Sequence, residues 1–519
     1  MFPTPAQLEA LNWSLGSSLL QFLPEIALCL GIVTLLLLRM LPKGEQVATG
    51  ILALAFVLVA GVAAALQVMG GTYAGSIFQG MLTADAFATV FRLVLLCGTL
   101  LVMVLIQASR LSEPWEAADL QVLLLGSTLG MLLMVQAQHL LMLFIAVEMA
   151  GVPAYALAAF PKQRSVGSEA ALKFAVFGAA ASGVMLYGIS LLTATFGTGY
   201  LPNLVNAIAQ RGLDLPVLAG LTLLLLGLGF KLSIVPVHFW CPDVFEGSAA
   251  EIAGFLATAS KLAAAALFLR LLHSLQALQI EAWNLPLTVG LPLGIIAALT
   301  MTVGNLAAFG QSNLQRLLAY STIAHAGYIL LGIAVISSTS LPAVLFYLVA
   351  YLFMNFGAFA AVTWVRQATG RVDLEAVRGL VFRHPAPAVL FTVFLASLLG
   401  LPPLVGFAAK FQLFQAVYQA GQAAPPEWPA LKMGWWTLLA IALLNTVLSA
   451  YYYLRVVRRM MLDEPPVGEP AALAPVASSP ERLGGLLVLL LLLGVLVVLS
   501  GIYWHPLLLL SQIAAQTFI

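Results

Sequence analysis

Four lysines, Lys173, Lys231, Lys261 and Lys410, and one glutamate, Glu148, lie inside stretches apolar enough to sit in a lipid bilayer. A charged side chain at the bilayer centre costs about 2.5–3.5 kcal/mol on insertion scales, so a chain that keeps several is expected to use them. The chemistry open to such groups is proton exchange. Desolvation weakens a lysine's hold on its proton and a nearby carboxylate restores it, so a lysine held between the two can take up and release protons.

Glu148, in LFIAVEMAGVPAY, is expected to pair with Lys231, in GLGFKLSIVPVHFW. Lys261 lies mid-helix in ATASKLAAAALFLRLL and would receive a proton from Lys231 directly or through water. Glu169 and Lys173 are four residues apart and share a helix face, as an uptake point or as a local ion pair. His238 suits a proton relay near neutral pH or a satisfied interfacial imidazole, and His325 a relay or a helix-packing hydrogen bond. For Glu148, Lys231, Lys261 and Lys410 a purely structural role is the weaker reading, because leucine would avoid the insertion cost. Glu25 and Arg92 lie nearer the ends of their spans, where long side chains reach the interface. Asp243 and Glu246 read as loop residues that cap or orient the next helix.

The elements that position these groups follow from composition. The 519 residues are 62% hydrophobic and 8% charged. A soluble domain carries about 25% charged residues, so the chain belongs to the membrane class. A net charge of +1 gives no footing for nucleic-acid binding. Cys29, Cys97 and Cys241 are scattered, with no CxxC or Cys/His cluster, so no iron–sulfur or zinc site is expected and the cysteines read as small packing residues. The first apolar run, Phe22 to Leu41, reads as a retained helix.

Fourteen apolar runs are long enough to span, centred near Leu30, Ala60, Cys97, Leu129, Met149, Ala181, Leu225, Ser260, Ile296, Ala326, Phe353, Gly400, Leu443 and Leu492. Their length and lack of alternation predict an all-α integral membrane fold. Pro236 should interrupt helix 7, and Pro402 and Pro403 helix 12, each beside a lysine. Helices 4–8 and 9–13 form two five-helix units in which Glu148 to Lys231 and His325 to Lys410 span nearly equal stretches. An odd helix number per unit inverts the second unit, a transporter signature. The expected divisions are 1–118, helices 1–3; 119–275, the first repeat; 276–462, the inverted second repeat; and 463–519, a Pro/Ala/Ser-rich link and helix 14.

With the N-terminus outside, Arg39, Lys43, Arg110, Lys162, Arg164, Arg316 and the basic residues from Arg366 to Arg383 and Arg455 to Arg482 fall in inward loops. Only Arg211, Arg270 and Lys432 then face outward, and Arg92 falls on neither side clearly. The positive-inside rule therefore predicts both termini outside.

The segment VPVHFWCPDVFEGSAAEIAGFLATASK resembles the helix 7–8 signature of the antiporter-like membrane subunits of respiratory complex I, and its HxWxPDVxxG form is closest to the N branch of that family. MTVGNLAAFGQSNLQRLLAYSTIAHAGYILLG, ASLLGLPPLVGFAAKFQLF and SAYYYLRVV agree, and the resemblance covers nearly the whole chain. It implies that the proton-path residues of the family fall on Glu148, Glu169, Lys173, Lys231, His238, Lys261 and Lys410. One departure is Gly247–Ser248–Ala249–Ala250–Glu251, where the family commonly has Gly-Ala-Pro. The resemblance also implies a non-redox subunit of an NADH:quinone oxidoreductase in a bacterial plasma membrane. NADH, FMN, iron–sulfur clusters and quinone would be held by partner subunits. The implied neighbours are an M-like antiporter subunit, K-like and J-like small subunits and the lateral helix of an L-like subunit. The alternatives are an Mrp-type cation/proton antiporter subunit, a ferredoxin- or hydrogenase-linked relative, and a structural spacer.

Overall fold

A computed structural model describes residues 15–41, 48–71, 73, 75–161, 165–276, 286–337, 339–465 and 480–516. Lys43, Lys162, Arg164 and most of the 463–482 link lie outside the described residues.

The chain is a bundle of membrane-spanning helices. Twelve described helices are long and apolar enough to cross a bilayer, or 13 if the bent pair Leu15–Gln21 and Leu23–Arg39 counts as one span. Each apolar run of the sequence meets a helix, and the run around Gly400 is split between two. In chain order the first part comprises α1 (Leu23–Arg39), α2 (Thr49–Gly70), a hairpin β1 (Gly75–Ile77) and β2 (Leu82–Ala84), and α3 (Ala86–Ser109). Next come α4 (Pro114–Gln136), α5 (Leu140–Ala158), α6 (Ser165–Phe196), a short amphipathic α7 (Leu201–Arg211), α8 (Leu215–Leu232), α9 (Trp240–Gly247), α10 (Ala250–Ala257) and α11 (Ala259–Gln276). The second half comprises α12 (Leu291–Ala308), α13 (Leu314–Ala334), α14 (Ser340–Thr369), α15 (Leu380–Arg383), α16 (Pro385–Leu399), α17 (Val405–Gln422), α18 (Pro429–Met461), α19 (Pro480–Ile502) and α20 (His505–Ala515).

Local chemistry sets the helix boundaries. Prolines open α1, α4, α7, α8, α12, α16 and α18, where the missing N–H has no intrahelical partner to lose. The Asn313 side chain accepts from the amides of Gln315 and Arg316 at the start of α13. α10–α11, α13 and α14 are almost wholly buried and form the centre, whereas α2, α6, α18 and α19 present most of their surface outward. Small residues let neighbours approach closely. A Cβ on Gly130 of α4 would lie 2.2 Å from the Ala150 nitrogen of α5.

Beyond the bent first pair, three spans are broken among the described residues. α8 stops at Leu232, and Ser233 turns left-handed at φ 59 before Pro236 and α9. α16 stops at Leu399, and Gly400 turns at φ 92 before Pro402, Pro403 and α17. The third break, at Thr258 between α10 and α11, carries no proline and was not expected from the apolar run.

At the arginine-rich end, side chains tie the helix ends and loops together. Arg455 donates to the Phe309 and Gln311 carbonyls at 2.6 and 2.5 Å, Arg459 to Glu375 at 2.9 Å, and Gln367 to the Ser109 carbonyl at 3.1 Å. Glu25 and Arg92, expected to reach the interface, do not. Both are fully buried and face each other at 3.4 Å, with Gln136 donating to Glu25 at 2.6 Å. Burying an ion is tolerable only when a partner and further hydrogen bonds surround it, and the α1–α3–α4 contact supplies both. Cys29 faces outward rather than into the packing, and Cys241 is buried.

Candidate functional site: buried lysines at two helix breaks

The broken ends of α8 and α16 are each closed by a lysine. Lys261 on α11 donates from Nζ to the Leu232 carbonyl at 2.9 Å and to Ser233 Oγ at 2.6 Å. Lys410, one turn into α17, donates to the Leu399 carbonyl at 3.0 Å. A broken helix exposes carbonyls carrying the negative end of its dipole, and an ammonium satisfies both the hydrogen bond and the field. Burial disfavours the same charge. The two lysines are therefore held where charged and neutral forms each have support. Lys261 is 1% exposed and Lys410 4%.

Lys231 is the last residue but one of α8 and is also buried. Its Nζ stands over Gly151, where an added Cβ would lie 2.4 Å away, and 5.4 Å from the Tyr155 ring. It makes no hydrogen bond to protein among the described residues. Glu148 lies one helical turn from Gly151 on α5, half-buried, and its Oε1 accepts a short hydrogen bond from Ser182 of α6. Glu148 and Lys231 are thus electrostatic neighbours, but the ion pair expected from sequence is open. Tyr155 is the missed member of this cluster. Its hydroxyl is buried without a partner between Gly151 and Gly178. Stacked rings separate Lys231 from Lys261: Trp240 lies 4.4 Å from Phe174 and 5.1 Å from Phe230, donates to the Phe230 carbonyl at 3.1 Å, and is 5.7 Å from Lys261 Nζ.

His325 lies in the centre of the bundle, caged by hydroxyls. Its Nδ1 is 2.6 Å from the Tyr347 hydroxyl, and its Nε2 3.3 Å from that of Tyr453, which meets Ser321 at 2.5 Å. The Tyr351 ring is 5.3 Å away, and its hydroxyl accepts from Asn355 at 2.9 Å. Lys410 lies 4.8 Å from the Tyr328 ring, whose hydroxyl reaches Thr446 at 3.0 Å. Nearby, Asn305, Asn445 and Tyr452 form a closed polar knot: Asn305 donates to Asn445 Oδ1 at 2.9 Å and accepts from Tyr452 at 3.0 Å. This set is not among the sequence expectations, although Ser321 and Tyr328 share a helix face with His325 and SAYYYLRVV carries two of the hydroxyls.

At the arginine-rich end, Lys173 joins Glu169 at 2.8 Å and Asp243 at 3.0 Å. Asp243 also receives Arg316 at 2.7 Å, and Arg316 continues to Glu246 at 2.7 Å. Burial alone would raise the Asp243 carboxyl, but the hydrogen bonds from Lys173 and Arg316 outweigh it and hold it below the usual carboxylate range. Asp243 and Glu246 therefore do not cap the next helix. Asp243 bridges Lys173 of α6 and Arg316 of α13, and Glu246 ties α9 to Arg316 and Asn313. His238 follows the α8 break, largely buried, with Nδ1 lacking a partner. Glu251, the departure from the family pattern, is buried at the start of α10, 3.9 Å from Arg366. Among the described residues no His, Cys, Asp and Glu group could hold a metal ion.

Residues 137–424 match the family described as NADH:quinone oxidoreductase/Mrp antiporter, TM. The chain is 37% identical to NADH-quinone oxidoreductase subunit N of an Anaeromyxobacter species, over 96% of this chain and 97% of that one. It is 34% identical to the subunit N of Chlorobium chlorochromatii, over 99% and 98%. Among solved structures, a chain of respiratory complex I from Thermus thermophilus aligns with TM-score 0.72 and 32% identity, covering 93% of this chain and 98% of that one. A chain of the Mrp complex from a Dietzia species shares the fold alone, at TM-score 0.80 and 21% identity, covering 96% and 97%.

Proposed function

This chain belongs to the NADH:quinone oxidoreductase/Mrp antiporter family of membrane subunits, and from that membership we propose that it is the proton-translocating N-type subunit of a complex I-type NADH:quinone oxidoreductase. Electron transfer to quinone would occur in other subunits, with NADH, FMN and iron–sulfur clusters held there, and the chain alone would be inactive. The observation that carries the reading is the placement of Lys261 and Lys410 on the two broken helix ends, with Lys231 at the first break and His325 between the halves.

In this reading Glu169, Lys173 and Asp243 form the uptake mouth. Lys231 is the switch, because Glu148 is close enough to stabilise its charge and free enough, held by Ser182, to release it. A disturbance of Glu148 by a neighbouring subunit would weaken Lys231's hold on its proton. The proton would pass by Lys261 and the His325 hydroxyl cage towards Lys410. Moving one charge across 100 mV needs about 2.3 kcal/mol. Closing the open Glu148–Lys231 pair to about 4 Å at an effective dielectric of about 20 would be worth up to about 4 kcal/mol, of the size the task needs. His238 would serve as a side relay at the break.

Residues 119–275 and 276–462 would be the two inverted repeats, which the paired breaks and paired lysines support. The arginine-rich end would face the cytoplasm of a bacterium, with both termini outside the plasma membrane. An M-like antiporter subunit, K-like and J-like subunits and the lateral helix of an L-like subunit would be its neighbours. Purification of the tagged chain from membranes tests the assembly: NADH-oxidising and quinone-reducing subunits should accompany it. Recovery with cation-antiporter subunits and no electron-transfer module would contradict the proposal.

A further inference from the structure

A cavity of about 380 Å³ lies beside the α8 break, within the range of about 300–1,000 Å³ usual for ligand sites. Its floor is the non-helical segment Ile234–Val237, and its walls include Leu204 of α7, Leu225 of α8, Phe268 of α11 and Ile296 of α12. Two threonines are the polar side chains of the described lining. Thr222 already donates to the Leu218 carbonyl at 2.8 Å, and Thr288 is likewise engaged. A lining of hydrocarbon side chains with both hydroxyls already engaged favours hydrocarbon over water or a polar ring. Its rim is open to the surface of the bundle at Leu218, which is 50% exposed. Arg211, which lies in sequence between the lining residues Ile208 and Leu213, pairs with Asp214 at 2.6 Å, lies 6.0 Å from the Phe196 ring and keeps its side chain 47% exposed.

We propose that this cavity holds the acyl chain of a membrane phospholipid, with its phosphate at the Arg211 rim, and that the bound chain supports the Ile234–Val237 segment. That segment follows the Leu232 carbonyl and Ser233 hydroxyl gripped by Lys261, so the lipid would back the same break from its other side. A quinone is the poorer occupant, because its carbonyls would meet no free side-chain donor in the described lining.

The test uses the chain purified with its accompanying subunits in nanodiscs of phosphatidylglycerol carrying a diazirine in the acyl chain. Photolabelling mapped by peptide mass spectrometry should mark the Leu225 and Ile296 peptides several-fold more strongly than the outward-facing α2. Filling the cavity by Leu225→Trp, or more mildly by Ile296→Phe, should reduce that label at least fivefold and leave α2 unchanged. Labelling no stronger than that of α2, labelling unchanged in both variants, or displacement by added isoprenoid quinone but not by unlabelled phospholipid would overturn the proposal. In the unmutated complex, delipidation should raise hydrogen exchange at Ser233, Ile234 and Val235 several-fold, and phospholipid should reverse it. Exchange indifferent to phospholipid would overturn the supporting role.

Discussion

Lys261 closes the broken end of α8 by donating from Nζ to the Leu232 carbonyl at 2.9 Å. The lysine is thus both a structural cap and a candidate proton carrier, and the two roles separate under substitution. Lys261→Met keeps the volume and removes the donor. It leaves the Leu232 carbonyl without its donor, at a cost of about 1–3 kcal/mol. The expected result is a lower melting temperature of the assembled complex together with lost proton pumping. Pumping at the unmutated level would remove Lys261 from the path.

Gly151→Ala tests the Lys231 position without touching a charge. Its Cβ would lie 2.4 Å from Lys231 Nζ, so the ammonium must move. Pumping per electron should fall severalfold while quinone reduction continues. Gly183→Ala is the control, since nothing lies within 4 Å of its added Cβ.

Tyr347→Phe strips His325 Nδ1 of its hydroxyl partner at 2.6 Å. A buried nitrogen left unpaired costs about 1–3 kcal/mol and disturbs the tautomer the cage selects. Slower transfer between the halves should appear as reduced pumping with a shifted pH profile. An unchanged profile would make His325 a packing residue.

The Asp243 carboxyl is held below its ordinary value of 3.8 by Lys173 and Arg316 against the opposing effect of burial. A carboxyl depressed in the folded state adds stability that is fully present above its unfolded value and lost as pH falls through its folded value. Thermal stability should therefore drop below about pH 4 by this contribution, in line with an unperturbed aspartate value of about 3.9. Asp243→Asn should flatten that part of the profile. The side chain is 33% exposed, so salt should weaken the effect.

Glu25→Gln breaks the fully buried pair with Arg92, and a lone buried charge costs about 3–5 kcal/mol. Assembly should suffer, yet whatever complex assembles should pump with unchanged stoichiometry, because this pair lies among α1, α3 and α4 and away from the lysines. Altered stoichiometry would bring Glu25 and Arg92 into the path.

Much of this was legible in the chain. Charges in apolar runs marked Lys231, Lys261 and Lys410, and prolines beside two of them marked the breaks at α8 and α16. Spacing placed Glu169 and Lys173 on one face, where they pair at 2.8 Å. The rest depended on which helices meet. Nothing local says that Ser182 would hold Glu148, or that Lys261 would cap a different helix. Glu25 and Arg92 looked free to reach the interface because their burial is imposed by α4. The hydroxyl cage of His325 was visible only as tyrosines in apolar helices, where aromatic packing is the commoner role. The Thr258 break has no proline or glycine at its centre.

The central claim is that Lys231 switches a proton path through this chain. Its most direct test is the proton-to-electron ratio of the assembled complex carrying Lys231→Ala, reconstituted in vesicles and driven by NADH and quinone. Intact quinone reduction per assembled complex in the uncoupled state and loss of most proton pumping are expected. A ratio equal to that of the unmutated complex would contradict the claim.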